Sequence, residues 1–339
     1  MNIRSTFRPN DLCADCPHAV TLKQRDPRTI KCVALRYKIA EPISHCTHYA
    51  GSRTPVDVVI VTATEIETEA VIREIRSVIG TGWETVPTII GGPWTVCTYQ
   101  AQSYPGVKLR LALRQTPVVG LSAAASLTSL AIQLFRPSFV AMLGITAGLK
   151  GETKIGDVVI PREIWDYGAG KWEDRKRGRV VFLPEGERIP LSDEIRERCR
   201  SLAQQSNSMR EILDEWNKRN GKKKKRPPRI MVGPAASGAA VVNTQSIWNR
   251  ALIQNRKIIA LEMEGYGVAR AVTTNSFVSL YTPQLLIAKS VCDFGVRKKS
   301  KGQPYAAYTS AAFFKRYLDT YIIAQDYVNQ PTRQHLLGA

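Results

Sequence analysis

Five short runs of β-branched and other apolar residues, separated by segments with helical spacing, constrain this chain more than any other feature of its sequence. Val56–Thr62 (VDVVIVT), Leu109–Leu113, Phe139–Leu143, Ile258–Glu262 and Leu285–Val291 read as buried strands. Glu65–Val78, Ala123–Leu134, Gly265–Val272 and Tyr305–Ala324 carry the spacing or composition of helices. Strands alternating with helices predict an α/β fold with a substantially parallel sheet. The polar, charge-rich stretch from Trp165 to Arg229 interrupts this alternation. It reads as an insertion, because both flanks belong to the same pattern and the stretch is too polar to supply a core of its own. Within it, Ser192–Trp216 predicts one amphipathic helix that starts from a capping serine.

The expected organisation is therefore a small module over residues 1–52, a main domain over 53–325 with the insertion at 165–229, and a tail over 326–339. Apolar stretches such as Phe139–Leu143 and Leu285–Ala288 are short. None approaches the roughly 20 residues a membrane span needs. Met1–Asp11 carries no apolar core of a secretory signal, so a cytoplasmic location is expected. The net charge of +19 favours anionic partners: nucleotides, nucleic acid or a membrane surface, with a partner protein as an alternative. Part of that charge is the run Lys222–Arg226, which reads as a solvated loop.

Four of the seven cysteines fall before residue 50. Cys13 and Cys16 form a C-x2-C knuckle, and Cys32 and Cys46 complete a set of four thiolates. That set matches a closed tetrahedral zinc site, and a metal would supply most of the stability of so small a region. An iron–sulfur cluster uses the same ligands and stays open at this point. His18, His45 and His48 are alternative ligands. Cys97, Cys199 and Cys292 read as ordinary single cysteines.

The candidate chemistry lies where strands end. Open α/β sheets bind ligands at the carboxyl ends of their strands. There the sequence places Glu65 after the first strand and Asp293 after the last. Leu261-Glu262-Met263-Glu264-Gly265 puts two carboxylates at the end of a strand, immediately before a helix. Such acids need water or hydroxyl donors, and a sugar diol is one such donor pair. Leu143–Leu149 is a strand entering a glycine turn, in which Thr146 offers a hydroxyl and Gly148 permits close backbone approach. Each segment alone fits a bland reading equally: a helix start, a tight turn, a pair of solvated acids.

Together, in this order and spacing, these segments resemble the purine nucleoside phosphorylase and nucleosidase superfamily over about Val56–Leu318. Within it they look most like nucleosidase-like domains that act as effectors in bacterial antiphage systems. The resemblance implies a phosphorylase-type mixed sheet flanked by helices, cleavage of a purine N-glycosidic bond, and a homo-oligomer. It implies that Asp293 protonates the departing base on its five-membered ring and that Glu264 binds the ribose hydroxyls. Met263 would pack against the sugar, Glu262 would assist, and Glu65 would orient and deprotonate the attacking water.

Phosphorylases of this superfamily place an arginine just before the glycine turn, where this chain reads Ala141-Met142-Leu143. Hydrolysis is therefore the expected reaction and phosphorolysis the alternative. A third alternative is a non-catalytic module that senses a nucleotide. Departures fall at the base-binding end: Ser237-Gly238-Ala239 in place of Ser-Gly-Asp, Val241 in place of an aromatic, and Cys292 in place of serine. Lys171, Arg175, Lys176 and Arg177 in the insertion would suit a phosphorylated nucleotide if they faced the pocket.

Overall fold

The structure, a computed structural model, describes residues 19–21, 30–32, 37–38, 56–76, 82–88, 92–100, 106–205, 207–221, 224–278, 282–297 and 300–323. The chain divides into two compact units, one of residues 1–55 and 86–93, the other of residues 56–85 and 94–339. In the first unit, β1 (Ala19–Thr21), β2 (Ile30–Cys32) and β3 (Tyr37–Lys38) form an antiparallel meander. Cys32 ends β2, opposite Ala19 and Tyr37. The other proposed metal ligands, Cys13, Cys16 and Cys46, lie outside the described residues, as does the tail 326–339.

The second unit opens with β4 (Val58–Thr62) and α1 (Glu65–Glu74). There follow β5 (Glu84–Val86), β6 (Trp94–Tyr99), β7 (Leu109–Gln115), α2 (Leu121–Phe135), β8 (Phe139–Gly148) and β9 (Val158–Asp166). A hairpin of β10 (Gly170–Arg175) and β11 (Arg179–Pro184) leads to β12 (Arg188–Pro190), α3 (Asp193–Gln204) and α4 (Ser208–Asn220). The chain finishes with β13 (Ile230–Ser237), α5 (Gln245–Gln254), β14 (Ala260–Glu262), α6 (Gly265–Val278), β15 (Gln284–Asp293) and α7 (Gln303–Tyr317). A π turn over Leu318–Ile322 extends α7. Among the described residues no helix is long and apolar enough to cross a membrane.

All five strand runs read from the sequence form strands of one mixed sheet. Its order is β12-β9-β13-β14-β8-β4-β7-β6-β5, and β15 pairs with both β8 and β9. β4 runs parallel to β7 and β8, and β8 parallel to β15. β14 runs antiparallel to β8, and β15 antiparallel to β9. The pairings β8-β15-β9-β13-β14-β8 therefore close a ring, which curls this half of the sheet around one end. That end is where Thr146, Ser237, Leu261, Glu262 and Asp293 come to one level: Val291 pairs with Thr146, Asp293 and Leu261 with Ala147, and Ser237 with Glu262.

The polar stretch contributes more structure than its composition predicts. α3 and α4 bury Ile195, Cys199, Leu202, Met209 and Ile212 in the same cluster as Val58, Leu111 and Phe313. The single helix expected over Ser192–Trp216 is two. Ser192 caps the first through Oγ, which accepts from Ile195 N at 3.4 Å, and Gln205 leaves helical geometry at ψ 107°. Asn207 and Ser208 follow within three residues, residue types that favour helix caps and turns over helix interiors. The described part of the basic run is a loop in which Lys224 and Lys225 are exposed, as expected, and it is also held by specific contacts. Lys224 is clamped by Asn217 through both backbone groups (2.6 and 3.0 Å), while Arg226 and Arg229 pair with the buried Asp157.

One contact fixes the helices behind the site. A Cβ at Gly267 would lie 2.1 Å from the Leu121 carbonyl oxygen, so α6 and α2 can approach only through a glycine. Gly267→Ala is expected to destabilise the protein by about 2 kcal/mol through forced separation of packed backbone. The denaturant midpoint of the purified variant checks this.

Candidate active site

A cavity of about 200 Å³ opens where the strand ends converge. It is lined by Thr64 and Glu67 from the β4–α1 turn, Ile145 and Thr146 from β8, Val241 and Val242 after β13, Met263 and Glu264 after β14, and Cys292 and Asp293 at the end of β15. Cys292 and Asp293 are consecutive, yet both reach it. A shift in the β15–β8 register between Val291 and Asp293 removes the alternation that would otherwise send them to opposite faces.

The first acid in this cavity is Glu67, and Glu65 does not line it. Glu65 begins α1 and is exposed, whereas Glu67 sits two residues on and is buried. Its carboxylate turns back over the helix start: Oε2 accepts from Ala63 N (2.7 Å) and Thr64 N (2.8 Å), and Oε1 from Ile145 N (2.8 Å). A glutamate in the third position of a helix, reaching back to the N-terminal backbone, is one half of a capping box. The signal Thr64-x-x-Glu67 is in the sequence, and it points to Glu67 rather than Glu65. Room for this side chain comes from Gly144, where a Cβ would lie 2.2 Å from Glu67 Oε1. Burial holds the Glu67 carboxyl above its ordinary range, against the pull of Lys289 and the backbone N–H groups.

Glu264, the second acid, is 3% exposed. Oε1 accepts from Gly120 N at 3.0 Å, at the start of α2, and Oε2 from Lys289 Nζ at 2.6 Å. Glu262 is spent on structure. Its Oε2 accepts from Glu264 N (2.9 Å) and Gly265 N (2.8 Å) at the head of α6 and lies 2.9 Å from Lys289 Nζ, and its Oε1 takes the Ser237 hydroxyl. Burial opposes ionisation of Glu262, but Lys289, the Ser237 hydroxyl and the Glu264 N–H outweigh it and lower its pKa. Lys289 is itself buried. Desolvation works against its charge, and Glu262, Glu264 and Glu67 more than compensate, so its pKa is raised.

Asp293, the third acid, accepts from Gly295 N at 2.7 Å through Oδ1, and the Cys292 thiol lies 3.3 Å from its Oδ2. Met263 and Val241 line the cavity as expected, Val241 at its exposed edge. Thr146 also lines it, but its hydroxyl donates to Leu261 O (2.9 Å), tying β8 to β14. Gly148 does not line the cavity. A Cβ there would strike Thr153 Oγ1 and Val291, so its role is close packing. Lys171 and Arg175 do not line it either; both pair with Glu173 within the exposed hairpin, at 3.8 and 2.9 Å. Gly120 and Lys289, which the sequence reading did not single out, support the acids, as do Gly144 and Ser237. Ala141, Met142 and Leu143, just before the glycine turn, are buried in β8. No described residue lining the cavity is an arginine or a lysine.

With this geometry in view, similarity to known proteins places the chain. A Phosphorylase superfamily profile matches residues 57–275, and the chain belongs to that family. It is 32% identical over 244 residues to a protein of Sinorhizobium fredii named uncharacterized protein y4jS, covering 70% of this chain and 56% of that one. The chain thus spans little more than half the length of that relative. Among solved structures it resembles the 5′-methylthioadenosine/S-adenosylhomocysteine nucleosidase of Neisseria meningitidis, with a TM-score of 0.54, 18% identity, and coverage of 77% of this chain and 97% of that one. The corresponding Helicobacter pylori enzyme gives a TM-score of 0.56 at 17% identity, covering 79% and 99%. These structural likenesses establish the shared fold, a mixed sheet flanked by helices.

Lys289→Met removes the cation that faces Glu262 and Glu264. We expect a loss of about 3–5 kcal/mol at neutral pH, because two buried carboxylates then lack their partner. The sign with pH is fixed by Glu262. Its depressed folded pKa contributes stability above the unfolded value, which is lost as pH falls through the folded one. In the variant that contribution is gone, so the gap between variant and parent narrows as pH falls below the ordinary glutamate value of 4.5. Urea titrations of both proteins at pH 4 and pH 8 measure it.

Proposed function

We propose that this chain is a purine nucleosidase that hydrolyses the N-glycosidic bond of a purine nucleoside or nucleotide. The observation that carries this reading is the meeting of Glu67, Glu264 and Asp293, from three separate elements, around one cavity whose described lining holds no cation. Cleaving the bond leaves positive charge on the sugar and negative charge on the base. Asp293 supplies a proton to the departing base. Glu264, fixed by Gly120 N and Lys289, accepts from the ribose hydroxyls, with Met263 against the sugar. Glu67 takes the role first assigned to Glu65: it orients the attacking water and receives its proton, for which a pKa raised by burial is suited. The fold shared with nucleosidases supports the same reading. The alternative, phosphorolysis, needs a cradle for a phosphate nucleophile, and the described lining offers none.

The expected product is free ribose or its phosphate ester, with the same rate in the presence and absence of inorganic phosphate. Glu67→Gln should reduce turnover by about 10²–10⁴-fold, as expected for loss of a general base, while Glu65→Gln stays close to the parent. The acidic limb of the pH profile should lie above the ordinary glutamate value of 4.5, because activity requires ionised Glu67 and burial raises its pKa. Chromatographic detection of free base across pH and variants tests all three points. Formation of a sugar 1-phosphate, dependent on added phosphate, would sink the hydrolytic reading.

For the amino-terminal segment we propose a structural zinc held by Cys13, Cys16, Cys32 and Cys46, on the strength of the C-x2-C knuckle and a set of four thiolates. Elemental analysis of the purified protein should return one zinc per chain, and Cys13→Ser with Cys16→Ser should abolish it. An iron signal with visible absorbance would replace zinc by a cluster.

A further inference from the structure

A second cavity adjoins the first, and its lining has the opposite electrostatic character. It has a volume of about 340 Å³, and Cys292 and Asp293 belong to both cavities. The rest of its wall includes Ile155, Phe294, Lys224, Arg297 and Lys301. Among the described residues none of these three cations is paired with an acid. Their positions are fixed by the fold. Lys224 is clamped by Asn217, and its Nζ sits 4.9 Å above the ring of the buried Tyr305. Arg297 adopts φ +50°, in the left-handed region, at the turn that leaves β15. Lys301 lies in the single helical turn Ser300–Gly302. Gly302 presses against the strand end, where a Cβ would lie 2.1 Å from Cys292 O.

We propose that this cavity binds the 5′-phosphate group of the substrate, so that the chain acts on a purine nucleotide in preference to a nucleoside. This rests on the nucleosidase reading above, with Asp293 protonating the five-membered ring of the base. In a nucleotide of anti conformation the 5′ carbon lies on the side of the base that carries C8 and N7. A base seated against Asp293 therefore sends its 5′ group over that same residue, toward the opening lined by Lys224, Arg297 and Lys301. Three cations without carboxylate partners suit a phosphate that accepts several charge-assisted hydrogen bonds. The division also keeps phosphate away from Glu67 and Glu264, which would repel it.

The test compares adenosine, AMP and ATP as substrates of the full chain and of the Lys224→Gln, Arg297→Gln and Lys301→Gln variants, singly and combined. A parallel titration follows binding of AMP to each protein by calorimetry. The proposal expects the parent to show a KM for AMP at least 10-fold below that for adenosine. The combined variant should raise the KM for AMP at least 10-fold with kcat nearly unchanged, and leave adenosine hydrolysis unaffected. Inorganic phosphate should compete with AMP and not with adenosine. Lys171→Gln with Arg175→Gln, on the exposed hairpin, should alter nothing.

Release of adenine from adenosine and AMP with equal KM, insensitive to the three substitutions, would overturn the phosphate subsite and leave the nucleosidase reading intact. AMP binding that weakens in the variants, with no base released by any of the proteins, would support the subsite and reject the reaction. If AMP neither binds nor is cleaved while adenosine releases adenine, the subsite alone fails; if AMP does not bind and no substrate releases base, both fail. Should the combined variant misfold, the single variants carry the same comparison with smaller shifts.

Discussion

One ammonium group holds together the end of this sheet that carries the cavity. Lys289 sits in the middle of β15, a strand otherwise made of apolar and small residues, and reaches Glu264 at 2.6 Å and Glu262 at 2.9 Å. A buried lysine is costly unless its charge is answered, and two buried carboxylates are costlier still. Here each answers the other. The cluster also explains why Glu262 and Glu264 occur as a pair. The first, turned to the head of α6 and to Ser237, anchors the strand end, so that the second is left with a fixed direction into the cavity. Replacing the lysine without the acids leaves two buried carboxylates without their cation.

The third member of this electrostatic group arrives from a different part of the chain. Glu67 is close enough to Lys289 and Glu264 for each to shift its proton affinity, in opposite directions. It is held by backbone N–H groups from its own helix start and from β8. Helix capping and site assembly are therefore one interaction: the carboxylate that satisfies the first turn of α1 is the one presented to the cavity. Gly144 completes the arrangement by leaving the space a side chain would fill.

Five of the strands were legible in the sequence, because buried strands in such a fold are continuous apolar runs, while their order in the sheet was not. The site was legible in part. Asp293, Met263 and Glu264 could be placed because each ends a strand with a recognisable neighbour. Glu65 was chosen over Glu67 because strand-end logic favours the first acid after Thr62, whereas the helix that follows turns Glu65 outward and brings Glu67 back. Helical geometry at three residues' distance overrides proximity along the chain. Lys289 carried its own signal, a lysine inside an apolar strand, which is intelligible only once its partners are known to lie opposite. Gly148 misled for a related reason: a glycine allows close approach by a ligand or by the protein itself, and here Thr153 and Val291 fill the space. The break between α3 and α4 shows the limit of amphipathic spacing, which persists across a turn when both helices bury the same face.

Charge separation across Asp293 gives the proposed chemistry its direction. On one side lie Glu262, Glu264 and Glu67 with a single ammonium among them, an excess of negative charge in a largely dry place. In the proposed reaction, positive charge developing on a sugar would be stabilised there and an incoming phosphate repelled, which favours water as the nucleophile. On the other side Lys224, Arg297 and Lys301 face open space. Had these cations lined the first cavity, they would neutralise the field that favours a cationic sugar and invite phosphate to attack it. Placed beyond Asp293, they can hold a substrate's own phosphate without supplying a competing nucleophile. In this arrangement binding and bond cleavage draw on opposite charges without cancelling each other, because Asp293 and the strand end that carries it stand between the two.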